Sequence, residues 1–339
     1  MAFHQPGGYM RRREFIALVG GVATWPLAAH AQQPARLRRI GVLAPFDNDD
    51  REGQRLLGAF KEGLVSQGWT DGRNLLIDYR FAGGSAENIR TVVRELVAAA
   101  PDVIFAASNV SIAPLQQATT IIPIVFVQAS DPVGSGFVAS LAHPGGNITG
   151  FQGYEPAIGG KWLEVLKEIA PNVRRVAVIL NPNVTANVAF LHAAEKAAAS
   201  LELTVTAAGA RDAADIERIL TAFAREPNGG VIVTPSPLTN TADKRELIMS
   251  LAAKLNLPAI YPYRLSAVSS GLISYSYDAA AQWQGSASYV DRILRGAKPS
   301  ELPVQAPTKY EMIINLKTAK ALGLTVPRAM QLSADELIE

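Results

Sequence analysis

From Arg39 onward the chain runs in two alternating hydrophobic rhythms. Short runs in which nearly every position is apolar, beginning with Arg39 to Ala44 (RIGVLA), read as strands buried on both faces of a parallel sheet. Between them apolar residues return every three or four positions, and Leu56, Phe60 and Leu64 form the stripe of an amphipathic helix that covers such a sheet. The same alternation predicts strands over 75–79, 103–107 and 124–127 and helices over 86–99 and 111–119, the order of βαβ units.

A second series follows, with strands over 176–180, 203–207, 231–234 and 259–261 and helices over 189–200, 214–223 and 244–255. Its wording echoes the first: Val103 to Ser108 (VIFAAS) corresponds to Val231 to Ser236 (VIVTPS), and Pro123 to Phe126 (PIVF) to Pro258 to Tyr261 (PAIY). Two similar half-chains predict an α/β protein with two doubly wound parallel-sheet lobes rather than one large sheet. The stretch from His143 to Gly160, rich in glycine and proline, is the expected first crossover. A strand over 272–277 and a helix carrying Tyr289, Ile293 and Leu294 return the chain to the first lobe, and a strand over 312–314 ends in the second. The expected lobes are therefore 37–150 with about 278–305, and 151–277 with about 306–335, joined by several crossing segments acting as a hinge.

Residues 1–31 break this pattern. Arg11, Arg12 and Arg13 precede an apolar run from Phe15 to Leu27, and Ala29, His30 and Ala31 close it in the small-x-small form of an export leader, so cleavage is expected after Ala31. The run of about 13 residues is shorter than the roughly 20 that span a bilayer, so no stable membrane anchor is expected. Arg12 and Arg13 ahead of Phe15 and Ile16 follow the twin-arginine export pattern, with the general secretory route as the alternative. A buried first helix is the plain structural alternative, and Met10 is a second candidate start.

Composition narrows the chemistry. Of 339 residues, 48% are apolar and 18% charged, enough apolar surface to bury two cores. Removing the leader leaves acidic and basic side chains equal in number, and no long basic run remains to neutralise phosphates, which argues against nucleic acid. Cysteine is absent, which excludes disulfides, thiolate sites and a lipidated cysteine anchor. Outside the leader only His143 and His192 remain for base or metal chemistry, and no cofactor or metal site is expected. Nor does the chain carry a G-x-S-x-G elbow, a G-x-x-x-x-G-K-[ST] loop or a G-x-G-x-x-G turn after its first strand, so an enzyme is not expected.

In open parallel sheets ligands sit beyond the carboxyl ends of the strands. That rule nominates Phe46 after the first strand, Ser108 and Asn109 after the third, and Ser130 with Asp131 after the fourth. In the second half it nominates Asn181, Thr234 with Ser236, and Tyr261. Ser108 and Asn109 precede a helix and could hold a carboxylate at its positive end, or simply cap it. Asp131 could pair with a ligand ammonium, or make an Asp-Pro turn. Phe46 and Tyr261 could stack on an apolar ligand, or be core.

Several words of the sequence, in order, carry a resemblance: Asp131-Pro132-Val133, Pro144 to Gly150 (PGGNITG), Tyr289 to Leu294 (YVDRIL) and Ile314 to Lys320 (INLKTAK). Together they resemble the substrate-binding proteins of ATP-binding-cassette (ABC) importers, a family that includes tryptophan and tyrosine binders. The resemblance implies a type I periplasmic-binding-protein fold, a periplasmic monomer that closes its lobes on a small amino-acid-like solute, and delivery to an ABC permease with its ATPase. It implies pocket roles for Asp131, Ser108, Asn109, Thr234 and Tyr261. His143 before Pro144, Ser130 before Asp131 and Ser276 after Tyr275 depart from the family's usual wording, so the solute is open to being other than an aromatic amino acid. A sensor signalling to a membrane kinase is the alternative with the same fold, and an exported hydrolase using Asp131 or His143 a more distant one. A repressor of this fold requires a helix-turn-helix where the leader stands.

Overall fold

Five apolar runs build the first sheet: β1 (Arg38–Ala44), β2 (Leu75–Phe81), β3 (Val103–Ala107), β4 (Ile124–Ala129) and β5 (Ile148–Gln152), all parallel in the order β2-β1-β3-β4-β5. The structure is a computed structural model that describes residues 1–3 and 37–339, so the export leader from His4 on, with its cleavage point after Ala31, lies outside the described residues. Strand β1 is buried on both faces because its side chains feed two cores, Ile40 and Val42 on one and Leu43 on the other. Helices α1 (Arg51–Ser66), α2 (Ala86–Ala98) and α3 (Asn109–Ala118) follow successive strands. Asp50 caps α1 by accepting from the N–H groups of Glu52 and Gly53, both at 3.0 Å. The α1 stripe buries Leu56, Phe60 and Leu64, and Phe60 stacks on Phe105 of β3 at 4.0 Å between ring centroids.

The second sheet holds β6 (Arg175–Leu180), β7 (Thr204–Gly209), β8 (Gly229–Val233), β9 (Ala259–Tyr261), β10 (Ile273–Ser276), β11 (Glu311–Asn315) and β12 (Glu336–Ile338). Their order is β12-β11-β10-β9-β8-β6-β7. Helices α4 (Ile158–Ile169), α5 (Thr185–Ala198), α6 (Ala213–Phe223), α7 (Pro237–Asn240), α8 (Ala242–Lys254) and α9 (Arg264–Ser269) flank it. The chain then returns to the first lobe as α10 (Ala279–Leu294), which lies along α1 and completes that core with Trp283, Ala287 and Val290. Close approach of the two helices depends on Gly63, where a Cβ would stand 2.3 Å from the Gln284 carbonyl oxygen.

The architecture is α/β with two lobes, and it differs from the sequence expectation in three details. The second sheet is mixed, because β11 runs antiparallel to β10. Strand β12, three residues long, had no apolar run to announce it. Strand β5 lies inside the segment expected as crossover: Gly150 lets it pair so tightly with β4 that a Cβ would meet the Phe126 carbonyl oxygen at 2.0 Å. Thr149 is fully buried because its hydroxyl donates to the Leu302 carbonyl at 2.5 Å.

Three segments cross between the lobes: 153–157 between β5 and α4, 277–278 between β10 and α10, and 306–310 between Gln305, which bridges to β5 at Phe151, and β11. Each carries a tyrosine, and the three rings meet. Tyr154 lies 4.8 Å from Tyr277 and 6.0 Å from Tyr310.

Candidate functional site

Where the carboxyl ends of the two sheets face each other, three connected hollows run between the lobes. The largest, about 460 Å³, is bounded by Glu52, Arg55 and Leu56 of α1, by Tyr263, Arg264 and Val268 of the second lobe, and by Tyr277 and Asp278 of the second crossing. A second of about 60 Å³ lies among Phe46, Ser108, Ser236, Pro237 and Thr241. The third, about 10 Å³, lies where Ser108, Asn109 and Ser130 meet Val184, Pro235 and Ser236. Gln128 and Tyr263 border all three, so the hollows form one cleft with contributions from both lobes.

The narrow end is built from helix starts. Helix α3 begins after Ser108 and α5 after Val184, and neither start is capped by a side chain. Their unpaired N–H groups and aligned peptide dipoles favour an anion there. The Ser108 backbone sits at φ 71°, ψ 149°, close to territory that only glycine occupies without strain. Two more non-glycine residues on the next strand end share positive φ, Gln128 at 58° and Asp131 at 44°. Backbone strain gathered at the ends of β3 and β4 is what an over-determined binding site displays.

The wide end is amphipathic. Glu52 accepts both Arg55 N–H contacts, at 2.6 and 2.8 Å, and this hydrogen-bonded pairing raises the Arg55 pKa, so the guanidinium stays charged. Arg264 pairs with Glu336 of β12. Asp278 caps α10 through Ala281 N–H at 3.0 Å and also borders the cleft. The Tyr263 phenol is pushed up by burial alone, and that of Tyr277 by burial first and by Tyr263 and Tyr310 after it, so both are neutral donors at physiological pH. No histidine borders the cleft, and His143 and His192 are exposed. Among the described residues no cluster of His, Cys, Asp and Glu could hold a metal ion, and no helix is long and apolar enough to cross a membrane.

Of the residues nominated from sequence, the fold brings Phe46, Ser108 and Asn109 to this cleft. The Asn109 side chain is already committed: its Oδ1 accepts from Ser130 N–H at 2.7 Å and its Nδ2 donates to the Ser130 carbonyl at 2.8 Å, bolting the end of β4 to the start of α3. Asp131, Asn181, Thr234 and Tyr261 border none of the three hollows. Asp131 accepts from Gly134 N–H at 3.0 Å in a turn, and Asn181 accepts from Asn183 N–H at 3.0 Å in another. Thr234 is fully buried and donates to the Ile179 carbonyl at 2.8 Å. Tyr261 is core, beside a separate small hollow with Met249 and Leu257. The residues that strand-end reasoning did not reach are Gln128, inside a strand, Tyr263, two positions past one, and Tyr277 with Asp278 at a crossing. A tyrosine at every crossing was the available signal.

Two α/β lobes joined by three segments around a shared cleft are an arrangement that can enclose a small molecule. The chain belongs to the ABC transporter substrate binding protein family, whose model matches residues 39–338. The family is one of substrate-binding proteins, not of enzymes. A curated relative, the tyrosine-binding protein of Clostridioides difficile (strain R20291), is 27% identical over 281 residues, 82% of this chain and 78% of that one. Among solved structures, a conserved domain protein from Vibrio cholerae O1 biovar El Tor is 26% identical with a TM-score of 0.82, covering 89% of this chain and 100% of that one. An ABC domain from Streptococcus pneumonia in complex with L-Trp superposes with a TM-score of 0.81 at 23% identity, covering 89% and 99% of the two chains.

Proposed function

We propose that the chain is an exported, periplasmic solute-binding protein that closes its lobes on a small amino-acid-like solute, an aromatic one included, and delivers it to an ABC permease. The observation that carries this reading is the polarity of the cleft along its length. Helix starts and the free Ser108 hydroxyl at the narrow end suit a carboxylate. Phe46 and Tyr263 supply aromatic walls, and Asp278 at the wide end suits an ammonium. The relatives that bind tyrosine and tryptophan support the same class of solute. In this reading Ser108, Phe46, Gln128, Tyr263 and Asp278 contact the solute, while Asn109 and Asp131 shape the loops that present it.

Thermal melting of the mature protein against the twenty amino acids tests the proposal. A true solute at a hundred times its Kd stabilises the closed form by about 2.7 kcal/mol, which at this size moves the midpoint by roughly 4 °C. At least one amino acid, expected among the aromatic ones, should do so, with a smaller scattering radius on saturation. A panel that leaves both midpoint and radius unmoved overturns it.

A further inference from the structure

From the first crossing, Tyr154 is hydrogen-bonded to a strand end of each lobe. Its ring is buried to 1% exposure, with Trp162 and Phe190 of the second lobe at 5.1 and 6.3 Å between centroids and Tyr277 and Tyr310 of the other two crossings at 4.8 and 6.0 Å. A phenol so deeply placed needs an acceptor for its O–H. It donates to the Pro262 carbonyl. Pro262 is itself buried and lies just past Tyr261, the last residue that β9 pairs with β10.

The residue after Pro262 is Tyr263, the aromatic wall that borders all three hollows. Only Pro262 and Tyr263 separate the end of β9 from the start of α9, so fixing the Pro262 peptide fixes where Tyr263 leaves the sheet. The Tyr263 ring also packs on that of Tyr154, at 6.4 Å between centroids and 62° between planes. On the other side, the Tyr154 backbone reaches the first lobe. Asp131 N–H donates to the Tyr154 carbonyl at 3.0 Å, and Gly153 N–H donates to the Ala129 carbonyl at 2.7 Å. Between Ala129 and Asp131 lies Ser130, which borders the same narrow hollow as Tyr263 and is bound to Asn109 at the start of α3. Tyr154 therefore holds the end of β4 by its backbone and the end of β9 by its hydroxyl, at the point where the three crossings meet.

We infer that Tyr154 is a positioning residue: its hydroxyl, through Pro262, sets the Tyr263 ring against the cleft and so raises the affinity for a solute that packs on that ring. The effect on affinity rests on the binding function proposed above, whereas the placement of Tyr263 stands apart from it. Tyr154 borders none of the three hollows, so its influence on the solute runs through Tyr263 alone.

The test uses Tyr154→Phe, which removes one oxygen and keeps the ring, made in the parent and in a Tyr263→Leu background, with L-tyrosine and L-tryptophan as probes of the mature protein. In the parent background the change should weaken binding about threefold to tenfold, the worth of one buried hydrogen bond. In the Tyr263→Leu background it should weaken it by less than about twofold, because the ring it positions is gone. Equal losses in the two backgrounds, or none in either, overturn the assignment, since a hydroxyl that merely supports the fold acts alike in both. Hydrogen exchange reads the placement without any probe: the Ser266 amide, which donates to the Tyr263 carbonyl at 3.1 Å, should exchange several-fold faster in Tyr154→Phe, while the Asp131 amide on the Tyr154 backbone keeps its rate. Unchanged exchange at Ser266 overturns the positioning role whether or not a probe binds. Faster exchange at Ser266 in a parent protein that binds neither probe would uphold the placement and overturn only the proposed solute.

Discussion

Replacing Ser108 by glycine should make the protein more stable and a poorer binder. At φ 71° and ψ 149° the serine backbone is held where L residues are strained, at a cost of about 1 to 3 kcal/mol. Glycine relieves that strain but raises the entropy of the unfolded chain by about 0.5 to 1 kcal/mol. The net expectation is a gain of roughly 0.5 to 2 kcal/mol in unfolding free energy, since the hydroxyl makes no capping bond that would be lost. Binding moves the other way. If the Ser108 hydroxyl donates to the solute carboxylate, its loss costs about 1.5 to 3 kcal/mol for a charge-assisted bond, or tenfold to more than a hundredfold in Kd. Urea unfolding followed by tryptophan fluorescence and titration calorimetry on the same preparation give both numbers. A variant that is destabilised, or that binds as well as the parent, would refute the idea that strain at this strand end is maintained for the ligand.

Three further outcomes are expected. Asn109→Ala leaves the N–H of buried Ser130 without its partner and the Ser130 carbonyl with only the Ser135 hydroxyl at 3.4 Å, and should cost about 1 to 3 kcal/mol in the unliganded protein, read as a lower urea midpoint; a loss of binding without loss of stability would make Asn109 a ligand contact instead. Asp335 is held below its ordinary pKa of 3.8, first by the Lys309 ammonium and then by Met312 N–H. Its contribution to stability is therefore present at neutral pH and lost as pH falls through that depressed value, so the stability gap between parent and Asp335→Asn should close below pH 3.8, and a gap constant down to pH 2 contradicts this. Replacing Arg12 and Arg13 together by lysine should leave unprocessed precursor inside the cell if the twin-arginine route is used, whereas normal appearance of mature protein, by immunoblot of the periplasmic fraction, points to the general secretory route.

Strands β1, β3, β4, β6 and β8 were legible because a strand buried on both faces is written as an unbroken apolar run, and the echo of VIFAAS in VIVTPS exposed the two-lobed plan. β5 was not, because Thr149 and Gly150 read as loop until Leu302 and Phe126 supply the partner and the close approach that need them. The same division applies to the cleft. The rule of strand ends reached Phe46 and Ser108, which lie within two residues of the ends of β1 and β3. It could not reach Gln128, since a left-handed residue inside IVFVQA leaves no mark in the apolar pattern. Nor could it separate Tyr261 from Tyr263: the strand ends between them, and the first ring lies in the core while the second borders the cleft.

Native mass spectrometry of the mature protein, purified gently after expression, bears most directly on the claim that this cleft holds a solute between closed lobes. The expected spectrum shows one small molecule per chain, released on unfolding, carrying a carboxylate and an amine, and absent from a Ser108→Gly, Tyr263→Ala double variant that remains folded. A parent protein that carries nothing and takes up nothing when offered amino acids, or a variant that retains the same molecule as firmly, would contradict it.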